Sequence, residues 1–310
     1  MKFELTILGS NSALPTSKRF PTAQVLNVLE RFFLIDCGEG TQIQLKKFRV
    51  PMSRINHIFI SHLHGDHFFG LIGLISTFSL QGRINDLHIY AHSKLEKIIR
   101  YQLDILDSKL SYKLIFHNIF GKEVQTLFED DAITVQSFPL RHGVMPCAGF
   151  IFREKERPRH LKKDMLDFYN IPIKARHGIK LGDDYISEEG ELIPNERLTQ
   201  ASSAPRSYAF CTDTAYFPRI IPLIKKIDLL YHEATFLKGD EKRAKSTYHS
   251  TAEQAARIAE EANVGKLLIG HFSARFHDLS DHLSEAKGVF ANTELAEDGC
   301  VFEIPLKSNR

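Results

Sequence analysis

Hydrophobic and polar residues follow two different spacings along the chain. Short runs that are apolar or alternate with polar residues are typical of strands, whereas apolar residues three and four positions apart are typical of helices. The runs predict strands near residues 3–8, 24–29, 32–35, 57–60, 87–90, 133–138, 149–152, 208–212, 228–231 and 266–269. Helices are predicted over about 40–48 and 251–262, the second opened by a capping box between Ser250 and Glu253. This alternation of strands and helices predicts an α/β sandwich.

One segment, residues 153–204, departs from this pattern. It is rich in charged residues and proline, and its apolar periodicity largely disappears. We therefore predict a single domain over residues 1–310 with a projecting basic arm inserted at about 153–204. The arm begins with a run of basic residues that an ordinary solvated surface would explain equally well: Arg153, Lys155, Arg157, Arg159, Lys162 and Lys163.

Composition narrows the classes of function. A formal net charge of +2 over 310 residues provides no general attraction for nucleic acid, so any phosphate-binding surface must be a local patch. The cysteines lie far apart without Cys-x-x-Cys spacing, which argues against a disulfide framework and predicts small core residues at Cys37, Cys147, Cys211 and Cys300. No stretch has the character of a signal peptide or a membrane span, so we expect a soluble cytoplasmic protein without a membrane partner.

The loop after the strand at 57–60 carries the strongest chemical signal. Its sequence, Ser-His-Leu-His-Gly-Asp-His over 61–67, places His62, His64, Asp66 and His67 within six positions. Imidazole and carboxylate groups are ligands that zinc takes, and four of them packed so closely can serve two ions better than one. The apolar run at 68–75 predicts a buried helix next to the loop, which argues against the alternative of a solvated histidine-rich turn.

Two metal ions need further ligands from other parts of the chain. His142, Asp213 and His271 each stand where an apolar strand is predicted to stop. A single polar residue in such a position is more often a cap or a turn residue. Three of them, taken with the 62–67 loop, predict a dispersed metal site at one edge of the sheets.

Motifs spread over nearly the whole chain extend this picture. They are Phe-Leu-Ile-Asp-Cys-Gly-Glu-Gly-Thr-Gln at 33–42, the 62–67 loop, Arg-His-Gly at 141–143, Cys-Thr-Asp-Thr at 211–214, Tyr-His-Glu-Ala-Thr-Phe at 231–236, Tyr-His-Ser-Thr at 248–251 and Gly-His-Phe-Ser at 270–273. Together they resemble the metallo-β-lactamase superfamily and, within it, the ribonuclease Z family of tRNA 3′-processing endonucleases. The resemblance implies a four-layer αβ/βα sandwich of the metallo-β-lactamase type.

The same resemblance implies two Zn²⁺ ions per subunit, with Mn²⁺ as an alternative. One ion would be held by His62, His64 and His142, the other by Asp66, His67 and His271, and Asp213 would bridge them. A pair of ions so held activates water and stabilises the attacking and leaving oxygens of a phosphoryl displacement. The implied products are a 3′-hydroxyl on the tRNA and a 5′-phosphate on the removed trailer.

Three side chains are predicted to take part in the chemistry. Asp66 would orient the attacking water and accept its proton, and His249 would protonate the departing 3′-oxygen. His249 precedes a predicted helix N-terminus, which disfavours its charged form, so it needs a carboxylate partner. Glu233 is the candidate partner. A purely structural role for Glu233, as a hydrogen-bond acceptor, is an equally good interpretation.

The resemblance further implies a precursor tRNA substrate and a homodimer in which the arm of one subunit serves the active site of the other. Lys174, Arg176 and Lys180 on the arm are expected to contact RNA phosphates. Lys18 and Arg19 lie in a Pro-containing basic loop and are expected to contact the acceptor stem, unless that loop is an ordinary solvated turn.

Two other functions are weighed against a tRNA endonuclease. One is a phosphodiesterase of the same fold that acts on small phosphodiesters, with the arm serving dimer contacts. The other is a zinc-containing RNA-binding protein without catalysis. The presence of every predicted ligand, Asp66 included, argues against the second.

Overall fold

Two seven-stranded sheets form the centre of the structure, a computed structural model that describes residues 2–119 and 122–307. The strands are β1 (Phe3–Gly9), β2 (Asn11–Ser12), β3 (Ala23–Val28), β4 (Arg31–Ile35), β5 (Ile55–Phe59), β6 (Leu87–Ala91), β7 (Leu114–Asn118), β8 (Gln125–Glu129), β9 (Ile133–His142), β10 (Met145–Glu154), β11 (His160–Leu161), β12 (Tyr185–Ile186), β13 (Leu192–Ile193), β14 (Thr199–Gln200), β15 (Ser207–Cys211), β16 (Leu229–Glu233), β17 (Lys266–Gly270), β18 (Phe272–Ser273), β19 (Thr293–Leu295) and β20 (Val301–Glu303). The first sheet has the order β20-β1-β3-β4-β5-β6-β7 and the second β19-β17-β16-β15-β10-β9-β8. Each predicted strand overlaps one of these.

Some helices cover the outer faces of the two sheets, and others lie in the arm or beside the loops at the sheet edge. They are α1 (Thr41–Lys47), α2 (Gly65–Phe68), α3 (Leu71–Leu80), α4 (Lys94–Ile105), α5 (Lys163–Phe168), α6 (Arg176–Leu181), α7 (Asn195–Leu198), α8 (Glu241–Thr247), α9 (Ala252–Glu261) and α10 (Ser280–Lys287). Short 3₁₀ turns occupy Met52–Arg54, Ile173–Ala175, Pro218–Ile220 and Lys238–Asp240. Within the described part of the chain, every helix is too short or too polar to span a bilayer.

Buried apolar side chains fall into three main layers that follow this arrangement. One cluster joins the facing sides of the two sheets, with Phe33 and Phe59 from the first sheet and Phe150 and Phe210 from the second. A second cluster lies between the first sheet and α1, α3 and α4, and a third lies between the second sheet and α9 and α10. The predicted four-layer αβ/βα sandwich is therefore confirmed.

The parallel parts of the two sheets determine where polar loops meet. Strands β4, β5, β6 and β7 run parallel in the first sheet, and β15, β16, β17 and β19 run parallel in the second. Carboxyl ends of parallel strands share one edge of a sheet, which is where ligands bind in such folds. The loops after β5, β15, β16 and β17 all leave from this edge.

Three local predictions are wrong. The capping box of α9 uses Thr251 and Gln254 instead of Ser250 and Glu253, because the Ser250 hydroxyl donates to the Thr214 carbonyl at 2.7 Å. The apolar run at 68–75 is split between α2 and α3, and Phe69 is exposed. Cys300 is also exposed, whereas the other three cysteines are buried as predicted.

The arm joins β10 to β15, which are antiparallel neighbours. Its base is closed by a buried ion pair in which Arg206 donates to both carboxylate oxygens of Glu154, at 2.8 and 3.0 Å. Although apolar periodicity is weak in this segment, the arm has an apolar cluster of its own, made of Leu166, Ile171, Ile179, Ile193 and Leu198.

The basic run at the start of the arm is largely used within the protein. Five of its side chains bond to protein groups: Arg153 to the Leu223 carbonyl, Lys155 to Glu129, Arg157 to Glu154, Arg159 to the Thr199 hydroxyl and Lys162 to the Glu196 carbonyl. These contacts stabilise the arm, so the run is a poor candidate for a free phosphate-binding patch.

Candidate metal centre and active site

The carboxyl edge of the sheets brings all seven predicted ligands together. His62 and His64 lie in the loop between β5 and α2, and Asp66 and His67 lie in α2 itself. His142 is the last residue of β9, Asp213 stands two residues after the end of β15, and His271 directly follows β17. Their ligand atoms form two groups, one containing His62, His64, His142 and Asp213, the other containing Asp66, His67 and His271.

The first group has the spacing of a four-coordinate zinc site. The Nδ1 atom of His64 lies 3.0 Å from His62 Nε2 and 3.1 Å from His142 Nε2. Asp213 Oδ2 lies 3.5 and 3.7 Å from the same two Nε2 atoms. Four ligands that are each 2.0–2.1 Å from a zinc ion stand about 3.3 Å from one another. Burial lowers the pKa of His62 and of His142, which favours the neutral form that binds metal.

The second group is built around the other oxygen of the same aspartate. Asp213 Oδ1 lies 3.2 Å from His67 Nε2 and 3.1 Å from His271 Nε2. Asp66 Oδ2 lies 3.4 and 3.6 Å from these nitrogens. Both Nε2 atoms are buried, and neither has a hydrogen-bond partner among the described residues. Buried polar atoms normally have a partner, so the donor set fits a metal ion that the nitrogens and carboxylates would share.

A surrounding set of hydrogen bonds fixes the rings. Asp36 accepts from the Ser61 backbone N–H at 2.7 Å, and its Oδ2 lies 2.7 Å from His67 Nδ1. The Thr235 hydroxyl lies 3.0 Å from His271 Nδ1. The Tyr248 carbonyl lies 3.1 Å from His142 Nδ1. Such partners set the tautomer and direction of a metal-binding imidazole, leaving Nε2 to face the ion.

The backbone is strained at the same place. Asp36, Asp213, His271 and Tyr248 all have positive φ, at 56°, 31°, 58° and 60°. Residues with a Cβ rarely adopt this region, and it costs roughly 1–3 kcal/mol per residue. Strain of this kind is kept where packing imposes it and tends to cluster at functional sites.

Glu233 and His249, the predicted acid pair, adjoin the two groups. Glu233 is fully buried at the end of β16, where it accepts from the Thr214 and Thr235 backbone N–H groups and lies 2.8 Å from His249 Nδ1. Burial lowers the pKa of His249, but attraction to the Glu233 carboxylate outweighs it and raises that pKa to about 9. The His249 ring lies 5.1 Å from that of His142 and 5.4 Å from that of His271, centroid to centroid.

Comparison with known proteins decides the family. The chain is 53% identical over 303 residues to ribonuclease Z of Bacteroides fragilis, covering 98% of this chain and 99% of that protein. It is 44% identical over 296 residues to ribonuclease Z of Porphyromonas gingivalis, covering 96% and 97%. The chain belongs to the ribonuclease Z family. A solved structure of human tRNase Z, short form, is 28% identical with a TM-score of 0.72 and covers 98% of this chain and 100% of that one.

More distant matches agree on the fold of this ribonuclease Z family member. Residues 197–272 match the family model described as beta-lactamase superfamily domain, and residues 3–155 match the model described as anti-Pycsar protein Apyc1. A metallo-beta-lactamase fold protein from Bacillus subtilis, 21% identical with a TM-score of 0.68, covers 98% of this chain and 100% of its own. The fold is thus of the metallo-β-lactamase type, and the His/Asp cluster indicates a metal cofactor.

The predicted RNA-contacting residues differ in exposure and in whether their side chains are already hydrogen-bonded within the protein. Lys18, Lys174 and Lys180 are exposed. The Arg19 guanidinium donates to Asn11 Oδ1 at 2.9 Å and to the Phe276 carbonyl at 2.7 Å, and Arg176 donates to the Ile171 carbonyl at 3.1 Å. The structure does not bring these positions into the metal cluster.

Sequence reasoning missed two residues that support the ribonuclease Z site. Thr235 bonds both Glu233, at 2.6 Å, and His271, while Tyr248 supports His142 through its carbonyl. Both residues lie inside motifs quoted from the sequence, and this was the one sequence feature that could have pointed to them. A hydroxyl or a backbone carbonyl has no ligand chemistry that would single it out beforehand.

Proposed function

We propose that the chain is a metal-dependent endoribonuclease that removes the 3′ trailer from precursor tRNA, with two Zn²⁺ ions per subunit and Mn²⁺ as an alternative. The observation that carries this proposal is the division of Asp213, whose two oxygens face two separate groups of imidazoles. A shared carboxylate between two metal sites suits an in-line phosphoryl displacement. The names of the relatives, ribonuclease Z and tRNase Z, supply the substrate class.

Seven side chains would hold the ions. His62, His64 and His142 would bind one, Asp66, His67 and His271 the other, and Asp213 both. When bound, two such ions bring the pKa of a coordinated water near neutrality and offset negative charge at the phosphate.

Asp66 is the residue that would handle the proton of the attacking water. Its Oδ2 accepts a hydrogen bond from the Ala13 backbone N–H at 2.7 Å, which fixes the carboxylate beside the second group. From there Asp66 would orient the water towards phosphorus and take its proton as the new P–O bond forms.

His249 would complete the reaction on the leaving side. With Nδ1 held by Glu233, its other nitrogen is the one available to donate a proton. The P–O3′ bond breaks, the 3′-oxygen of the tRNA takes the proton from His249, and the phosphate stays on the trailer. The products are a tRNA 3′-hydroxyl and a trailer 5′-phosphate.

RNA recognition would use exposed cations away from the cluster. Lys174 and Lys180 on the arm and Lys18 in the loop after β2 are exposed and would contact phosphates. Arg19 and Arg176 also remain predicted RNA contacts. They would use the guanidinium N–H groups that do not donate to other groups of the protein. A homodimer, with the arm of one subunit at the active site of the other, and a cytoplasmic location also stay predictions.

The direct test is incubation of the purified protein with an end-labelled precursor tRNA, with and without a chelator. We expect one cut directly after the last retained nucleotide, loss of cleavage in the chelator and recovery on adding Zn²⁺. Chelator-resistant cleavage, or a cut elsewhere in the RNA, would contradict the proposal.

Replacing residues 158–203 by a short Gly-Ser linker distinguishes a tRNA endonuclease from the main alternative, an enzyme that acts on small phosphodiesters. This change leaves the Glu154–Arg206 pair at the base of the arm intact. Cleavage of precursor tRNA should collapse while hydrolysis of bis(p-nitrophenyl) phosphate continues. Unchanged cleavage of both substrates would remove the RNA role of the arm and favour an enzyme for small phosphodiesters.

A further inference from the structure

A cavity of about 400 Å³ adjoins the proposed active site on the side of His249. The residues that line it include two tyrosines, Tyr216 and Tyr248, and two basic residues, Arg141 and Lys245. Because His249 itself forms part of the wall, a group bound in the cavity would lie beside the proposed proton donor.

Tyr248 is held in an unusual way at this wall. It has left-handed backbone angles, φ 60° and ψ 42°, at the end of α8, and its carbonyl bonds His142 Nδ1. Its ring covers Gly143, where a Cβ would lie 3.1 Å from two ring carbons. The side chain is nevertheless 42% exposed. One part of this residue thus supports a metal ligand while its ring faces the cavity.

The basic residues of the cavity favour an anionic ligand, and its two tyrosines favour a planar one. Arg141 and Lys245 are exposed, and neither forms an ion pair within the described residues. The acid on the wall, Glu241, accepts a hydrogen bond from Gln254 Nε2 at 3.1 Å. Aromatic faces stack on nucleobases and unpaired cations attract phosphates, so the combination suits one nucleotide.

We infer that this cavity receives the last nucleotide retained on the tRNA, with its base stacked on Tyr248 and its 5′-phosphate near Arg141 and Lys245. The inference rests on the proposed function. The leaving 3′-oxygen belongs to that nucleotide, and His249 protonates this oxygen. The nucleotide must therefore lie on the His249 side, whereas the trailer keeps the phosphate at the metal groups.

The test combines an enzyme change with a substrate change. Precursor tRNAs carry an abasic residue at the last retained position or at the first trailer position, and each is cut by the wild type and by Tyr248→Ala. Stacking on an aromatic side chain changes affinity by roughly 5- to 150-fold per base, so Tyr248→Ala should lower kcat/KM on intact substrate within that range. The same loss should follow from removing the last retained base, with no further loss when both changes are combined.

The first trailer position provides the contrast. There the two changes should act independently, so their fold-losses multiply. Multiplying losses at the last retained position, or coupling to the trailer position instead, would overturn the inference. Failure of the wild type to cut any precursor tRNA would overturn the proposed function itself, so the two failures are distinguishable.

Controls exclude a collapse of the site. Tyr248→Phe keeps the ring and should therefore show the same coupling to the last retained base as the wild type. Tyr101→Ala removes an exposed tyrosine of α4 and should leave kcat/KM unchanged. Metal content is measured for each variant. If Tyr248→Ala loses metal, Tyr248→Leu, which keeps bulk but has no aromatic face, takes its place in the cycle and must show the same coupling.

Discussion

His282 is a fully buried histidine in α10, far in sequence from the metal ligands. Its ring makes edge contacts with Phe272 and Phe276, with centroids 5.3 and 4.6 Å away. Neither ring nitrogen has a hydrogen-bond partner among the described residues. We predict that His282→Leu, which removes both polar atoms at similar size, stabilises the protein, and more so in acid.

The magnitude follows from burial and charge. Leaving a buried polar group unsatisfied costs about 1–3 kcal/mol, which leucine avoids at any pH. Burial, helped by the charge of Arg19, lowers the pKa of His282 to about 4. Since an unfolded histidine has a pKa of about 6.5, the neutral ring contributes its full stability above that value and loses it as the pH falls towards 4. At pH 5 the loss is about 2 kcal/mol.

Urea unfolding at pH 8 and pH 5, with metal present throughout, measures this difference. Far-UV circular dichroism is the suitable signal because the chain has no tryptophan. Acid also weakens the metal site, but equally in both proteins, so the comparison isolates His282. The exposed His277 serves as the matched control, and His277→Leu should give no pH-dependent gain. A His282→Leu protein that is less stable at pH 8, or has the wild-type pH dependence, would refute the reasoning.

The remaining predictions concern the site and the arm. His249→Ala should lower turnover at least about 100-fold, as loss of a general acid does, while the metal content measured by elemental analysis stays at the wild-type value; metal loss would make His249 a ligand. Glu154→Gln should destabilise the protein by about 3–5 kcal/mol in urea unfolding, because the buried Arg206 guanidinium loses the carboxylate charge beside it; a change below about 1 kcal/mol would fit only a surface pair. Replacing Lys174 and Lys180 together by alanine should raise KM for precursor tRNA and reduce its salt dependence by about two phosphate contacts, with hydrolysis of a small phosphodiester unchanged; an unaltered salt slope would show that neither lysine contacts RNA.

The sheets and the ligand cluster could be predicted because both follow from short-range patterns. Strand periodicity locates each apolar run, and a polar residue at or just after the carboxyl end of a buried strand must lie at the sheet edge. His142, Asp213 and His271 were found in this way, each from its own strand.

Other features depend on contacts that no local pattern contains. The split between α2 and α3 occurs where Gly70 meets the Gly38 backbone, since a Cβ on Gly70 would lie 2.0 Å from the Gly38 carbonyl oxygen. That close approach joins two loops far apart in sequence. In the arm, apolar residues such as Leu166 and Leu198 meet only after several turns, so their spacing follows no single period.

The capping box of α9 is a third feature that the local sequence could not predict, and its residues contact the proposed active site. Ser250 and Thr251 can both cap a helix, and the local sequence does not choose between them. Ser250 is taken by the Thr214 carbonyl, while the Thr214 N–H donates to Glu233 at 2.8 Å. Thr214 follows the aspartate shared by the two metal groups, and Glu233 holds His249. The positions of the proposed metal bridge, Asp213, and of the proposed proton donor, His249, are therefore fixed by one buried network, and a change at Ser250 should disturb both together.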